Sequence, residues 1–228
     1  MYRFVAPALL ALALAAPAAA ETRALSGFRA IQAEDRLAVT VTAGEAYAVE
    51  VTGEDADRIR TRIEGRTLHI EDARRPWFGR SPRLDAQVRV SAPAIESVAA
   101  SRGAELSANL AGASCDDFSA VAAMGGETIV TSARCNTVSS TAAMGGLVRI
   151  AGACRAHDIS AAMGASVRAD ELACETVDAS AAMGGEIRAF ASRSYDASAA
   201  MGGDVRVAGG GSAGDTSTTM GGSIHSDR

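Results

Sequence analysis

Six methionines recur through the second half of the chain and limit what it can fold into. Met124, Met144, Met163, Met183, Met201 and Met220 each follow a small or hydroxyl residue and precede Gly-Gly or Gly-Ala. Their spacings are 20, 19, 20, 18 and 19 residues, and Cys115, Cys135, Cys154 and Cys174 each lie nine residues before the first four. A fixed period near twenty is the mark of a chain that coils, one similar turn upon another.

Counting from each Met as zero, position −6 reads Phe118, Val138, His157, Val177, Tyr195, Gly214, and position +4 reads Thr128, Val148, Val167, Ile187, Val205, Ile224. Position −2 is Ala in five turns and Thr218 in the last. Even positions are apolar or small and the odd ones near the centre mostly polar. That alternation is a strand period with the even side chains inward. Strands recurring every 19 residues or so, with no helical segment between them, predict a single-stranded parallel β-helix over residues 93–228. Val98 to Leu106 fits the template as a degenerate turn with Arg102 in the Met place, and the last turn, with Gly209-Gly210-Gly211 and Thr216 to Thr219, is Gly-rich and polar. A weak terminal coil blunts an edge that would otherwise recruit other strands.

Residues 21–92 lack the repeat but read as an N-terminal β-strand region of the same domain. Leu37, Val39 and Val41 alternate, as do Tyr47, Val49 and Val51; Ile59 to Ile63, Leu68 to Ile70 and Val88 to Val90 are further short strands, with turns at Gly44, Gly53 and Gly65. Residues 1–20 read as a secretory leader cleaved after Ala20, with Arg3 as its charge and Ala18-Ala19-Ala20 as the small-residue site. The leader is too short and Ala-rich for a membrane anchor, and no Cys follows it to carry lipid. These features predict a periplasmic or secreted protein with no transmembrane segment in the mature chain. The net charge of −5 excludes general affinity for nucleic acid or anionic membranes, and aromatics are only 4%.

Phe28…Ile31, the hairpin Val39-Thr40-Val41…Gly44…Tyr47-Ala48-Val49-Glu50-Val51, Leu68-His69-Ile70 and Pro93-Ala94-Ile95-Glu96-Ser97-Val98 followed by small-residue coils resemble the head GIN domain family. The resemblance runs from about Phe28 to about Val207. It implies a right-handed β-helix, an exported protein of the auto-transporter adhesin-head type, and no catalytic residues. The chain departs from the family's usual small-Gly-small-Gly coils in reading Ala-Met-Gly-Gly, and no membrane barrel follows the coils.

Four Cys in an exported chain point to two disulfides. Neighbouring coils set Cα atoms about 4.8 Å apart, inside the disulfide window, whereas two coils apart is about 10 Å. Only Cys115–Cys135 with Cys154–Cys174 pairs all four. The Met ladder has two readings, a soft-metal site built from thioethers or filler for a core otherwise made of Ala and Gly. Inward parity favours the core, in which case Met163→Leu is mild and Met163→Asp severe.

Arg149, Arg168, Arg188 and Arg206 form an outward ladder suited to anions, but Glu127, Glu186 and Asp204 share that face, and Asp158, Asp178, Asp196 and Asp215 form a second ladder. A solvated mixed-charge face is the plainer account. The segment Arg74-Arg75-Pro76-Trp77-Phe78-Gly79-Arg80-Ser81-Pro82-Arg83 joins four Arg to the single Trp. It either caps the coil end or stacks on a glycan or protein partner, with Arg74, Arg75, Trp77, Phe78, Arg80 and Arg83 as contact residues. Gly210-Gly211-Ser212-Ala213-Gly214 matches the nucleophile-elbow pattern but lies in a Gly-rich coil with no helix after it. His69, His157 and His225 are scattered over different template positions, and His157 takes an inward place, so it reads as a core histidine. No catalytic residue, metal site or cofactor is indicated. The leading expectation is a non-enzymatic exported β-solenoid serving as a scaffold or adhesin-like binding module, with an envelope protein or glycan as partner. The alternatives are a polysaccharide-processing enzyme on the coil surface and a self-assembling, bactofilin-like solenoid associating through its last coil.

Overall fold

The computed structural model describes residues 21–74, 83–113 and 115–227; residues 1–20, read above as a leader, lie outside them. Strands come in chain order as β1 (Glu21–Arg23), β2 (Ala30–Ala33), β3 (Ala38–Ala43), β4 (Ala48–Thr52), β5 (Ile59–Glu64), β6 (Thr67–Asp72), β7 (Gln87–Ala92), β8 (Ser97–Ser101) and β9 (Glu105–Asn109). Longer strands follow: β10 (Cys115–Ala123), β11 (Glu127–Ala143), β12 (Leu147–Ala162), β13 (Ser166–Ala182) and β14 (Glu186–Ala200), then β15 (Asp204–Ala208), β16 (Ser212–Thr219) and β17 (Ser223–Ser226). All belong to one sheet that wraps into a β-solenoid.

Each coil has two faces. The second half of β11 pairs in parallel with β10, while its first half pairs with β9, so a single long strand bends from one face to the other. Register follows the repeat: Cys135↔Cys154↔Cys174, Val138↔His157↔Val177 and Val148↔Val167↔Ile187 sit side by side. Nine residues separate Cys from Met in every coil that has both, so the uneven spacing of the methionines is taken up elsewhere. It is absorbed at the far corner, where register slips between Val130 and Ala133 and between Arg149 and Gly152. Gly152 carries φ +142, and a Cβ on it would meet the Ala133 carbonyl oxygen at 2.1 Å, so only glycine fits that bend.

The cross-section is a wedge, and side-chain size follows its width. At the narrow end Ala122, Ala142, Ala161, Ala181 and Ala199 at −2 face Gly or Ala at +2. A Cβ on Gly185 would meet the Ala161 carbonyl at 2.3 Å. Further in come Val148, Val167, Ile187 and Val205, all fully buried, and at the wide end Phe118, His157 and Tyr195. Each buried Val or Ile contributes on the order of 1.5–3 kcal/mol. Thr128 is tolerated among them because its hydroxyl donates to the Val121 carbonyl at 2.7 Å.

The methionines are not core. Met124, Met144, Met163, Met183 and Met201 are 45–49% exposed and Met220 81%. The even-inward rule holds along a strand but stops at the narrow corner. There the chain reverses over two residues that both have positive φ, 51° at Met124 and 73° at Gly125, closed by a Gly126 amide donating to the Ala123 carbonyl at 2.9 Å. Two positive-φ central residues are the signature of a type I′ turn, whose first central side chain points outward and is best Asn, Asp or Gly. Met163→Asn therefore melts at or above the parent, by up to about 1 kcal/mol, and Met163→Asp stays within about 1 kcal/mol of it. A loss of several kcal/mol in denaturant titration would return the thioether to the core.

The N-terminal strands continue the solenoid in an order the chain does not follow. β2 lies between β6 and β8, and β3 between β7 and β9, all in parallel. Antiparallel strands finish this end: β5 on β6, and β4 on β7 with β1 outside it. Phe28, fully buried, meets Tyr47 edge-on at 5.0 Å between ring centroids. At the opposite end β16 is exposed along its whole length.

Candidate functional site

With the interior filled by inward ladders, the groups open to solvent lie on the outside of the coils. The two cysteine pairs are bridged, Cys115–Cys135 and Cys154–Cys174, each with Cα atoms 4.5 Å apart. They form one line beside the far corner and take all four thiols out of chemistry. His157 is buried; its Nε2 shares a 2.9 Å hydrogen bond with the Ser140 hydroxyl, and its Nδ1 has no partner. Burial pushes its pKa down to about 4, so it is a neutral core histidine at neutral pH.

The outward Arg ladder is in register from Arg149 through Arg168 and Arg188 to Arg206. Its charge is partly answered on the same face: Arg188 pairs with Glu186 at 2.9 Å, Arg206 with Asp204 at 3.1 Å, and Arg149 reaches Glu127 at 3.9 Å. Arg168 has Ser166 two places before it instead of an acid and forms no ion pair among the described residues. A shallow cavity of about 400 Å³ opens beside Arg149, Arg168 and Arg188, with Asp170 and Glu171 also lining it. Exposed pairs of this kind are worth little in stability. The opposite face carries Asp158↔Asp178↔Asp196 and Ser160↔Ser180↔Ser198, a flat polar surface.

Of the arginine-rich segment, the structure describes Arg74 and Arg83. Asp72, buried and ion-paired to Arg58 at 2.7 Å, accepts the Arg74 amide at 2.9 Å, and the Arg74 guanidinium reaches Asp57 at 2.9 Å. At the other end Arg83 lies 3.5 Å from Glu105. Arg75, Trp77, Phe78 and Arg80 lie outside the described residues. β6 ends on one face at Asp72, and β7 opens on the other at Gln87.

One cluster escaped the sequence reading. Glu96 accepts from Arg29 at 2.6 Å and from Arg66 at 3.1 Å, which holds its carboxyl below the usual carboxylate range and raises the Arg29 guanidinium. It borders a cavity of about 650 Å³ lined by Ile95, Leu110, Asp117 and Phe118 among others. Glu96 stands in the Pro93-to-Val98 motif, but its partners come from 67 and 30 residues upstream, so no local pattern marks them. Ser212 opens an exposed strand and is not an elbow before a helix. Among the described residues no group of three or more His, Cys, Asp or Glu is placed to hold a metal, and no helix is long and apolar enough to cross a membrane.

A family model described as "Putative auto-transporter adhesin, head GIN domain" matches residues 27–211. Among solved structures, one described as a putative adhesin from Bacteroides fragilis superposes with a TM-score of 0.72 at 15% identity, over 92% of this chain and 96% of that one. A protein from Parabacteroides distasonis described as a putative lipid binding protein gives 0.66 at 15% identity, over 93% and 97%. A putative adhesin from Parabacteroides merdae gives 0.61 at 14%, again over 93% and 97%. At these identities the likeness is one of fold. No curated protein matches the chain.

Proposed function

The chain belongs to the head GIN domain family, and from that premise we propose that it is an exported, non-enzymatic scaffold or adhesin-like binding module of the cell envelope. The observation that carries this reading is the filled wedge: inward ladders occupy the coil from corner to corner, so what the protein does it does with groups on its outside. Its paired cysteines agree with an oxidising compartment, and the leader read in residues 1–20 with passage through the inner membrane.

The contact we assign is the segment 74–83, on the chemistry of its residues. Trp77 offers a stacking or buried surface, and Arg75 and Arg80 offer salt-dependent attraction to an anionic glycan or an acidic protein face. The purified mature protein should bind a subset of an array of envelope glycans or envelope proteins. Trp77→Ala should weaken that binding about tenfold or more, as loss of an aromatic anchor does, with little change in melting temperature. A Trp77→Ala protein that binds normally but melts much earlier would make the segment an end cap and leave the reading without its contact.

A further inference from the structure

The methionine edge is required neither by the fold nor by the contact proposed above. A type I′ turn is best served by Asn-Gly or Asp-Gly, and a non-glycine residue such as Met at positive φ costs about 1 kcal/mol. The chain nonetheless places Met there six times, with φ between 47° and 56°. The turns are locked in register by hydrogen bonds from each glycine amide to the next coil's methionine carbonyl: Gly125 to Met144, Gly145 to Met163, Gly164 to Met183 and Gly184 to Met201, each 3.1 Å. Six thioethers thus leave the backbone along one edge, one strand spacing apart. Five of them are about half exposed and Met220 is mostly exposed. Alanine or threonine precedes each and glycine follows, and a Cβ built on Gly125, Gly145, Gly164, Gly184 or Gly202 would meet no atom within 4 Å. Among the described residues these are the exposed large hydrophobic side chains.

Leu or Ile would serve an apolar partner equally well; what Met adds is sulfur. With every cysteine oxidised, the thioethers are the soft donors the described structure offers. The spacing suits them. Two sulfurs on opposite sides of an ion at about 2.3 Å each stand about 4.6 Å apart, close to the strand spacing of about 4.8 Å. The three rotatable bonds of Met let neighbouring thioethers converge from that starting point. In the coil before Met124 the same corner holds Arg102, whose cation ends the line; its guanidinium lies 2.7 Å from Glu34.

We propose that the methionine edge binds a soft monovalent cation, copper(I) or silver(I), in linear or trigonal sites shared by thioethers of adjacent coils. The proposal does not rest on the 74–83 contact or on the identity of any partner.

Silver(I), inert to redox chemistry, is the probe. Titration of the mature, oxidised protein, read by calorimetry and native mass spectrometry, should load about two or three ions on six thioethers and shift the methyl signals of ¹³C-labelled methionine. The triple variant Met144→Leu/Met163→Leu/Met183→Leu keeps size and apolar character but leaves only Met201 and Met220 adjacent. It should hold at most a single ion, with affinity down about tenfold or more and an unchanged melting temperature. The corresponding triple Asn variant, which suits the turn, gives the same reading if the Leu variant is poorly soluble. Zinc(II) should not compete. Absence of silver binding at micromolar concentration, full loading of the Leu variant, or displacement by zinc would overturn the proposal.

Discussion

Replacing Cys115 and Cys135, or Cys154 and Cys174, by alanine lowers stability by about 3 kcal/mol per pair in urea titration of the oxidised protein, and replacing all four brings the fold close to its limit. Each bridge closes a separation of 20 residues, and in the chain-entropy account a loop of that length removes about 3 kcal/mol from the unfolded state. Two such losses amount to about 6 kcal/mol, comparable with the whole stability of an ordinary domain of about 5–15 kcal/mol. The effect is distributed unevenly along the axis. One bridge joins β10 to β11 and the other joins β12 to β13, while Cys135 and Cys154 are neighbours in register without a bond. Coil stability in a solenoid is a sum of repeat and nearest-neighbour terms. Amide exchange in native conditions should therefore be faster where β11 meets β12 than within either bridged pair. Equal midpoints for the parent and the four-alanine protein would show that the bridges add nothing.

Acid is the second large lever, acting through one buried ring. In the folded chain burial holds His157 at about 4, against 6.5 for the free side chain. As pH falls the unfolded chain takes up the proton first, so this group's contribution is complete above about pH 6.5 and is progressively lost down to about pH 4, with no further loss below. The gap between 6.5 and about 4 corresponds to about 3 kcal/mol over that window. The double variant His157→Val/Ser140→Ala tests this without leaving an orphaned hydroxyl. Val138 and Val177 flank His157 in the same ladder, and alanine occupies the place of Ser140 in other coils as Ala120, Ala179 and Ala197. Carboxylates titrate in both proteins, so the quantity to compare is the difference in slope between pH 6.5 and 4. Parallel stability curves would show that the ring exchanges its proton freely while folded.

How far the sequence foretold the molecule depends on how local each signal is. The ladders of Val148, Val167 and Ile187, the burial of His157 and the cysteine pairing follow from a period-2 pattern carried through a constant register, and each was legible. The methionines followed the same count but fall where counting fails. A two-residue reversal at Met124 and Gly125 breaks the alternation, and its positive-φ pair was hidden because Met is a poor residue for that turn. The strands of residues 21–92 could be found from alternation, but not their place between β6, β8, β7 and β9, since that depends on pairings across long sequence separations. Arg29, Arg66 and Glu96 meet for the same reason, at a corner assembled from three distant segments.

The interleaved N-terminal layers also decide in which order the molecule can close. Ile31 must find Leu68, 37 positions on, and Val98, 67 positions on, before its layer is complete, whereas later coils need only reach the turn before them, about 20 residues back. Loop closure over those longer spans is the slow event in reaching a non-local topology. A chain folding from its N-terminus can pair β2 with β6 and β3 with β7 first, but cannot complete those layers until β8 and β9 have emerged. From then on each coil finds a finished edge to zip onto, and growth runs one way, toward the exposed β16 and the short β17.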